Sequence, residues 1–343
     1  MASDAGGRSL VCLYFFGGSD GNSMFAPLDS AQYDAYAAAR GELALPESAL
    51  LPAEARGAGM SIGFHPALSG LRDFFLDGSL ALIANVGSQR RNSVEAGRRY
   101  DNLSFLHDGY ATLRWAASKS EVAGADHDGA FTFPGGVTTL PLDGSAFGGS
   151  RRMNPDLLRV AESATRGMAF PNSNIARQLR TVAGLLQSGG MMGGGQQVYF
   201  VPVAGLNPAA QENSLIGGRY HQLSRALTAF RRTMVTAGLD QRVIVFTDSE
   251  FGRTLMPNAA HGSDSGWGNH HLVLGGAVKG GDIYGRFPDM TGPLESDGAT
   301  APTTMREQYH GTLASWLGLT GGEVTSLFPS LGALGAWRMG FVA

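Results

Sequence analysis

The run Val243-Ile-Val-Phe-Thr-Asp-Ser-Glu-Phe-Gly-Arg-Thr254, followed by His261-Gly-Ser-Asp-Ser-Gly-Trp-Gly-Asn-His-His271, constrains the fold more than any other stretch. Val243 to Phe246 are apolar and β-prone, and polar residues begin where they stop. A continuous apolar run of this length fits a strand buried on both faces of a parallel sheet. The carboxyl end of such a strand is where open α/β sheets present side chains to ligands. The stretch therefore predicts helices on both faces of the sheet and chemistry at its carboxyl edge.

Similar strand-like runs occur at Leu10 to Phe16, Leu80 to Val86, Val198 to Val203 and Leu272 to Leu274. Between them, Arg219 to Ala237 places Leu223, Leu227, Phe230 and Met234 on one helical face. Asn174 to Gln187 does the same with Ile175, Leu179, Val182 and Leu186, and stops at Gly189-Gly190. This alternation predicts the α/β class, a doubly wound, mostly parallel sheet sandwiched by helices. With 343 residues, 43% of them hydrophobic, the chain can bury one large core, and a single domain over 1–343 is expected. Periodicity fades into Gly, Pro, Asp and Thr over about 118–150, which predicts an irregular excursion there.

Composition removes several function classes. A net charge of -3 offers no basic field for a nucleic-acid backbone. No apolar run approaches the ~18 residues of a spanning helix, so membrane insertion is not expected. The lone Cys12, inside an apolar run, rules out an intrachain disulfide and a zinc-thiolate cluster. The start Met-Ala-Ser-Asp-Ala-Gly-Gly-Arg-Ser has no apolar signal core. It fits either a cytoplasmic terminus or a chain whose export signal has been cut away. Gly189 to Gly195 is followed by no Lys-Ser or Lys-Thr, so it reads as a joint and not a phosphate cradle.

Three segments can deliver carboxylates to the sheet edge. Gly17-Gly-Ser-Asp-Gly-Asn-Ser23 follows the first strand, so Asp20 either ligates a cation through oxygen or bonds its own backbone in a tight turn. Asp248 and Glu250 follow the Val243 strand, either as ligands or as a cap and first-turn acid of a following helix. Asp264 comes shortly after, and Arg253 serves either an anion or a structural ion pair. His270 and His271 enter a strand and should point to opposite faces. His65, His221 and His310 read as packing or surface residues, and Asp126-His-Asp128 as a solvated turn.

Taken together, several pieces carry a resemblance. They are Phe16-Gly-Gly-Ser-Asp-Gly21, Phe64-His-Pro-Ala-Leu68, Ile175-Ala-Arg-Gln-Leu-Arg-Thr-Val-Ala183, Phe246-Thr-Asp-Ser-Glu-Phe-Gly-Arg-Thr254, Gly266-Trp-Gly-Asn-His-His271, Gly275-Gly-Ala-Val-Lys-Gly-Gly281, Gln308-Tyr-His-Gly-Thr-Leu-Ala314 and Leu327-Phe-Pro329. In order and spacing they resemble the exported bacterial proteins of domain of unknown function 1501, which are similar to the alkaline phosphatase and sulfatase superfamily. The resemblance implies an alkaline-phosphatase-like sheet with a two-metal ester-hydrolysis site, in which a metal activates a Ser or Thr nucleophile.

The chain departs from that pattern where it matters. An expected Asp-Thr-His cluster is replaced by Gly205-Leu-Asn-Pro-Ala209, so Asn207 is neutral and Ala209 cannot ligate. An expected Asp-His-Gly reads Asp264-Ser-Gly266, putting Ser265 in place of an imidazole. An expected Ser-His reads Phe105-Leu-His107, with Leu106 at the nucleophile position and Ser104 two residues off register. Zinc would then lack the ligands it requires. Asp20, Glu250 and Asp264 remain, enough for one oxygen-loving calcium, magnesium or manganese ion in preference to zinc. A shifted register would instead bring His261, His270 or His271 into the emptied positions.

The expectation is a degenerate family member acting as a binding or assembly protein. By resemblance it is periplasmic or secreted and has a companion protein encoded by a neighbouring gene. The alternatives are a metal-dependent hydrolase of phosphate or sulfate esters with a rearranged site, in which His107 or Arg253 contacts the anion, and a different reaction carried out with the companion.

Overall fold

The computed structural model describes residues 7–87, 155–189, 196–207, 209–295 and 297–343, with the backbone of 131–132 and 138–141. In chain order the strands are β1 (Ser9–Phe16), β2 (Phe25–Pro27), β3 (Leu51–Glu54), β4 (Ser61–Phe64), β5 (Leu80–Gly87), β6 (Phe131–Thr132) and β7 (Thr138–Pro141). They continue with β8 (Gln197–Ala204), β9 (Val243–Ser249), β10 (Gly252–Pro257), β11 (Ser263–Gly266), β12 (Asn269–Leu274), β13 (Ile283–Tyr284) and β14 (Thr304–Met305).

Nine of these strands form one sheet in the order β13-β5-β12-β9-β1-β8-β7-β6, with β14 also paired to β5. β1 lies between β8 and β9 and is parallel to both, while β12 runs antiparallel to β5 and β9. The sheet is mixed but mostly parallel. Side-chain alternation along β1 splits the core into two layers. Val11, Leu13 and Phe15 pack with the helices Ser69–Asp77, Asn174–Gln187 and Glu212–Thr236. Leu10, Cys12 and Tyr14 pack with Arg306–Leu317 and Gly321–Leu327 on the other face. This is the doubly wound α/β class that the strand-helix alternation predicts, and Cys12 is fully buried in it.

Most boundaries follow local chemistry. The helix Asn174–Gln187 begins where Ser173 Oγ accepts from the Ala176 N–H at 3.2 Å. The long helix begins at Glu212, ahead of the expected Arg219, and carries Gly217 and Gly218 inside it. Gly217 packs there against His65, whose ring would lie 3.5 Å from an added Cβ, so tertiary packing overrides weak propensity. No helix follows β9; β10 follows instead, so Asp248 and Glu250 are not helix-capping acids. The expected excursion returns two short strands to the sheet, β7 parallel to β8 and β6 antiparallel to β7. Ser104, Phe105, Leu106, His107 and Asp126 to Asp128 lie outside the described residues. Among the described residues no helix is long and apolar enough to cross a membrane.

Candidate functional site

Two buried polar clusters sit at the carboxyl edge of the sheet. The first is built around Asp20 in the turn after β1. Its Oδ1 accepts from the N–H groups of Asn22 at 2.8 Å and Ser23 at 3.2 Å, capping the short helix Gly21–Met24. Its Oδ2 is ion-paired with Nη2 of Arg40, the last residue of the helix Ser30–Arg40. The same Nη2 lies 2.8 Å from Oε1 of Glu212, the first residue of the long helix. Ser23 Oγ donates to Glu212 Oε1 at 2.5 Å and Ser263 Oγ to Glu212 Oε2 at 2.9 Å. Arg40 Nη1 is spent on the carbonyls of Thr254 and Leu255. Asp20, Arg40 and Glu212 are all completely buried.

Two carboxylates facing one guanidinium cannot both ionise cheaply. Burial opposes the charge on Asp20, but Arg40 and the hydrogen bond from Glu212 outweigh it and hold its carboxyl below the usual range. Burial, with Asp20 beside it, pushes the Glu212 carboxyl up to about 8. Burial also opposes the Arg40 charge, and the Asp20 carboxylate more than offsets this. At neutral pH the centre of the cluster is therefore an anionic Asp20, a cationic Arg40 and a protonated Glu212.

The second cluster surrounds Asp248 near the end of β9, on the opposite face. His310 Nε2 lies 3.0 Å from Asp248 Oδ2, and His271 Nε2 and Arg306 Nη1 lie 3.7 and 3.9 Å from Oδ1. Arg306 and His310 are one helical turn apart on the helix Arg306–Leu317, so both reach the same carboxylate. His271 Nδ1 is 3.3 Å from Thr247 Oγ1, and its ring stacks on Tyr309. Burial opposes the Asp248 charge, but Arg306 and then His310 overcome it and hold the carboxyl well below the usual range. Burial drives His271 down to about 3, so its imidazole is neutral.

Asn269 ties the two clusters together. Its Nδ2 donates to Ser19 Oγ and Ser249 Oγ, each at 2.7 Å, and its Oδ1 accepts from the Gly21 N–H at 3.0 Å. Gly21 must be glycine here, since a Cβ would come within 2.5 Å of that oxygen.

The residues expected to hold a metal turn to different partners. Asp20 is taken up by Arg40 and its cap. Glu250 accepts the N–H of Gly17, and burial raises its carboxyl. Asp264 is exposed and accepts from Asn258 Nδ2 at 2.9 Å. Among the described residues no group of three or more His, Cys, Asp or Glu could hold a metal ion. Arg253 gives its guanidinium to the carbonyl and hydroxyl of Ser263.

Asn207 does stand at the sheet edge, 2.6 Å from where a Gly17 Cβ would be, and the Asp20 N–H donates to the neighbouring Leu206 carbonyl. His270 and His271 point to opposite faces as expected. His270 Nδ1 accepts from the Asn85 N–H at 3.1 Å and its ring stacks on Phe287, while His261 pairs at the surface with Glu42. The bulge that brings Asn85 there gives β5 one extra residue between the partners of Asn269 and His271. His65 is a packing residue, its Nδ1 accepting from the Ala67 N–H. His310, read from sequence as a packing or surface residue, instead faces Asp248. Sequence reasoning also missed Arg40, Glu212 and Arg306.

Residues 207–326 match the family described as "Protein of unknown function (DUF1501)". That stretch carries Glu212, Asp248, His271, Arg306 and His310, and leaves out Asp20 and Arg40. No curated protein matches the chain. Among solved structures, the lipoteichoic acid synthase LtaP from Listeria monocytogenes aligns at 10% identity and a TM-score of 0.40, over 94% of this chain and 74% of that one. Ps i-CgsB in complex with k-i-k-neocarrahexaose aligns at 9% identity and 0.42, with the same two coverages.

Proposed function

We propose that this chain is a degenerate member of an alkaline-phosphatase-like family, acting outside the cytoplasm as a binding or assembly protein with a companion protein, and not as a metal-dependent ester hydrolase. The observation that carries this reading is Arg40. A fixed, buried guanidinium stands against the Asp20 carboxylate, where a divalent cation would have to bind. With Glu212 protonated, the cluster has no net negative charge left to attract one. The described residues of this cluster therefore do not fit a resident metal. Asn207 and Ser265, neutral where the resembled family has ligands, support the same reading. Location and companion rest on the resemblance alone.

The test is the metal content of the purified protein, by plasma mass spectrometry, after incubation with zinc, manganese and calcium. We expect less than one tightly held ion per chain; two would overturn the proposal.

One observation favours a second reading. An Asp-His pair with an arginine beside it is the orienting half of a general base with an anion-binding group, and Asp248, His310 and Arg306 form one. That reading requires ester turnover by the protein in chelator, abolished by His310→Gln.

A further inference from the structure

A cavity of about 580 Å³ opens between the helix Glu212–Thr236, residues 67–70 at the start of the helix Ser69–Asp77 and the segment 168–171. Its volume is in the range of ligand sites. The helix contributes His221, Arg225 and Arg232, all exposed, on one stripe that spans about 16 Å at 1.5 Å per residue. Met168, Phe170 and Ala229 give it apolar wall. Among the described residues no Asp or Glu lines it, although acids outnumber Lys and Arg in the chain by 29 to 26. Among the described residues neither Arg225 nor Arg232 has an ion pair or a hydrogen bond.

Unpaired guanidiniums at the rim of a carboxylate-free, partly apolar groove are complementary to anions, and the planar fork of arginine suits carboxylates. The cations are spread along the groove and not gathered at one end. A ligand with a single anionic head would satisfy one of them, whereas an extended chain bearing several acids would meet them in turn. At about 3.3 Å per residue, roughly five residues of extended peptide cover the stripe.

We propose that this groove docks an extended acidic peptide segment of a partner protein, its carboxylates on Arg225 and Arg232 and its apolar side chains against Met168 and Phe170. The groove lies apart from the Asp20 cluster. The docking proposal therefore stands whether or not the protein holds metal, and metal content does not bear on it.

The test is fluorescence anisotropy of a labelled heptapeptide of alternating glutamate and leucine, in low salt, against the whole chain. Saturable binding is expected, weakened about tenfold by Arg225→Glu with Arg232→Glu, and weakened by added salt. Ala229→Trp, which fills the groove without changing charge, should weaken binding as well and keeps the test open if the double variant misfolds. Four outcomes overturn the proposal: no saturable binding, equal affinity for a lysine-leucine heptapeptide, indifference to these substitutions, or saturable binding of dodecyl phosphate with none of the acidic peptide. The last would assign the groove to a lipid.

Discussion

The two clusters at the carboxyl edge of the sheet neutralise buried carboxylates in different ways, and the difference sets what each can do. Around Asp20, two acids share Arg40, so one of them, Glu212, keeps its proton. Around Asp248, one acid is shared by Arg306 and two imidazoles, so Asp248 stays ionised and His271 stays neutral. The first has an excess of acid, held as COOH on Glu212; the second has an excess of base, with the His271 imidazole neutral. Buried groups that titrate away from their ordinary values couple folding to pH, and these two clusters should do so from opposite ends of the scale.

The largest effect comes from removing the guanidinium. Arg40→Met keeps the volume but leaves Asp20 ionised and unpaired in the interior, which should cost about 3–5 kcal/mol in urea unfolding at pH 7. The same variant sharpens the functional reading. If Arg40 stands where a cation would bind, the freed Asp20 and Glu212 should give Arg40→Met a Tm that rises with manganese or calcium, while the wild type does not respond. A variant that loses stability without gaining a metal response would mean that the cluster is a structural ion pair only.

The next effect lies in the second cluster. His271 has an ordinary value of 6.5 and is held near 3 by burial. Its folded-state value is depressed, so the unfolded chain takes up the proton first, and stability falls as pH drops below 6.5 toward 3. Between pH 7 and 5 this one residue should cost about 2 kcal/mol, and His271→Gln should remove that share of the acid loss. An unchanged acid limb would assign it elsewhere, with His270, held near 4 by burial, as the next residue to replace.

What could be read from the sequence follows from distance along the chain. β1, β5, β8, β9 and β12 were all legible by their apolar runs, because the interior of a strand buried on both faces is apolar, which is a local property. Asp20 was legible for a similar reason, standing just after a strand in a glycine-rich turn. Its partners were not. Arg40 closes an alanine-rich helix, where a basic residue reads as a solvated complement to the helix dipole. Glu212 opens a helix, where an acid reads the same way. Both are completely buried only because of contacts made 20 and 192 residues away from Asp20. Arg306 and His310 did leave a signal. They sit one turn apart in a helix whose other residues are mostly apolar or small, so a buried Arg and His on it had to find an acid.

The smallest static effect, and the one that tests the comparison most directly, is Glu212→Gln. At pH 5 the wild-type side chain is already protonated, and a carboxamide can replace it. Its oxygen accepts from Ser23 and Arg40, and its amide donates toward Asp20 and Ser263, so stability should change by less than about 1 kcal/mol. The difference appears on raising the pH. The folded-state value of Glu212, about 8, lies above its ordinary 4.5. Its contribution is therefore fully present below 4.5 and is lost as pH rises through about 8, with a slope of at most about 1.4 kcal/mol per unit. Above pH 6.5, where the opposing rise from His271 is complete, urea unfolding of the Gln variant should be level up to about pH 8, where the wild type declines. If both decline alike, Glu212 is ionised beside Asp20 at neutral pH. The cluster would then have an unneutralised carboxylate available to a cation, and the case against a metal at Asp20 would fail with it.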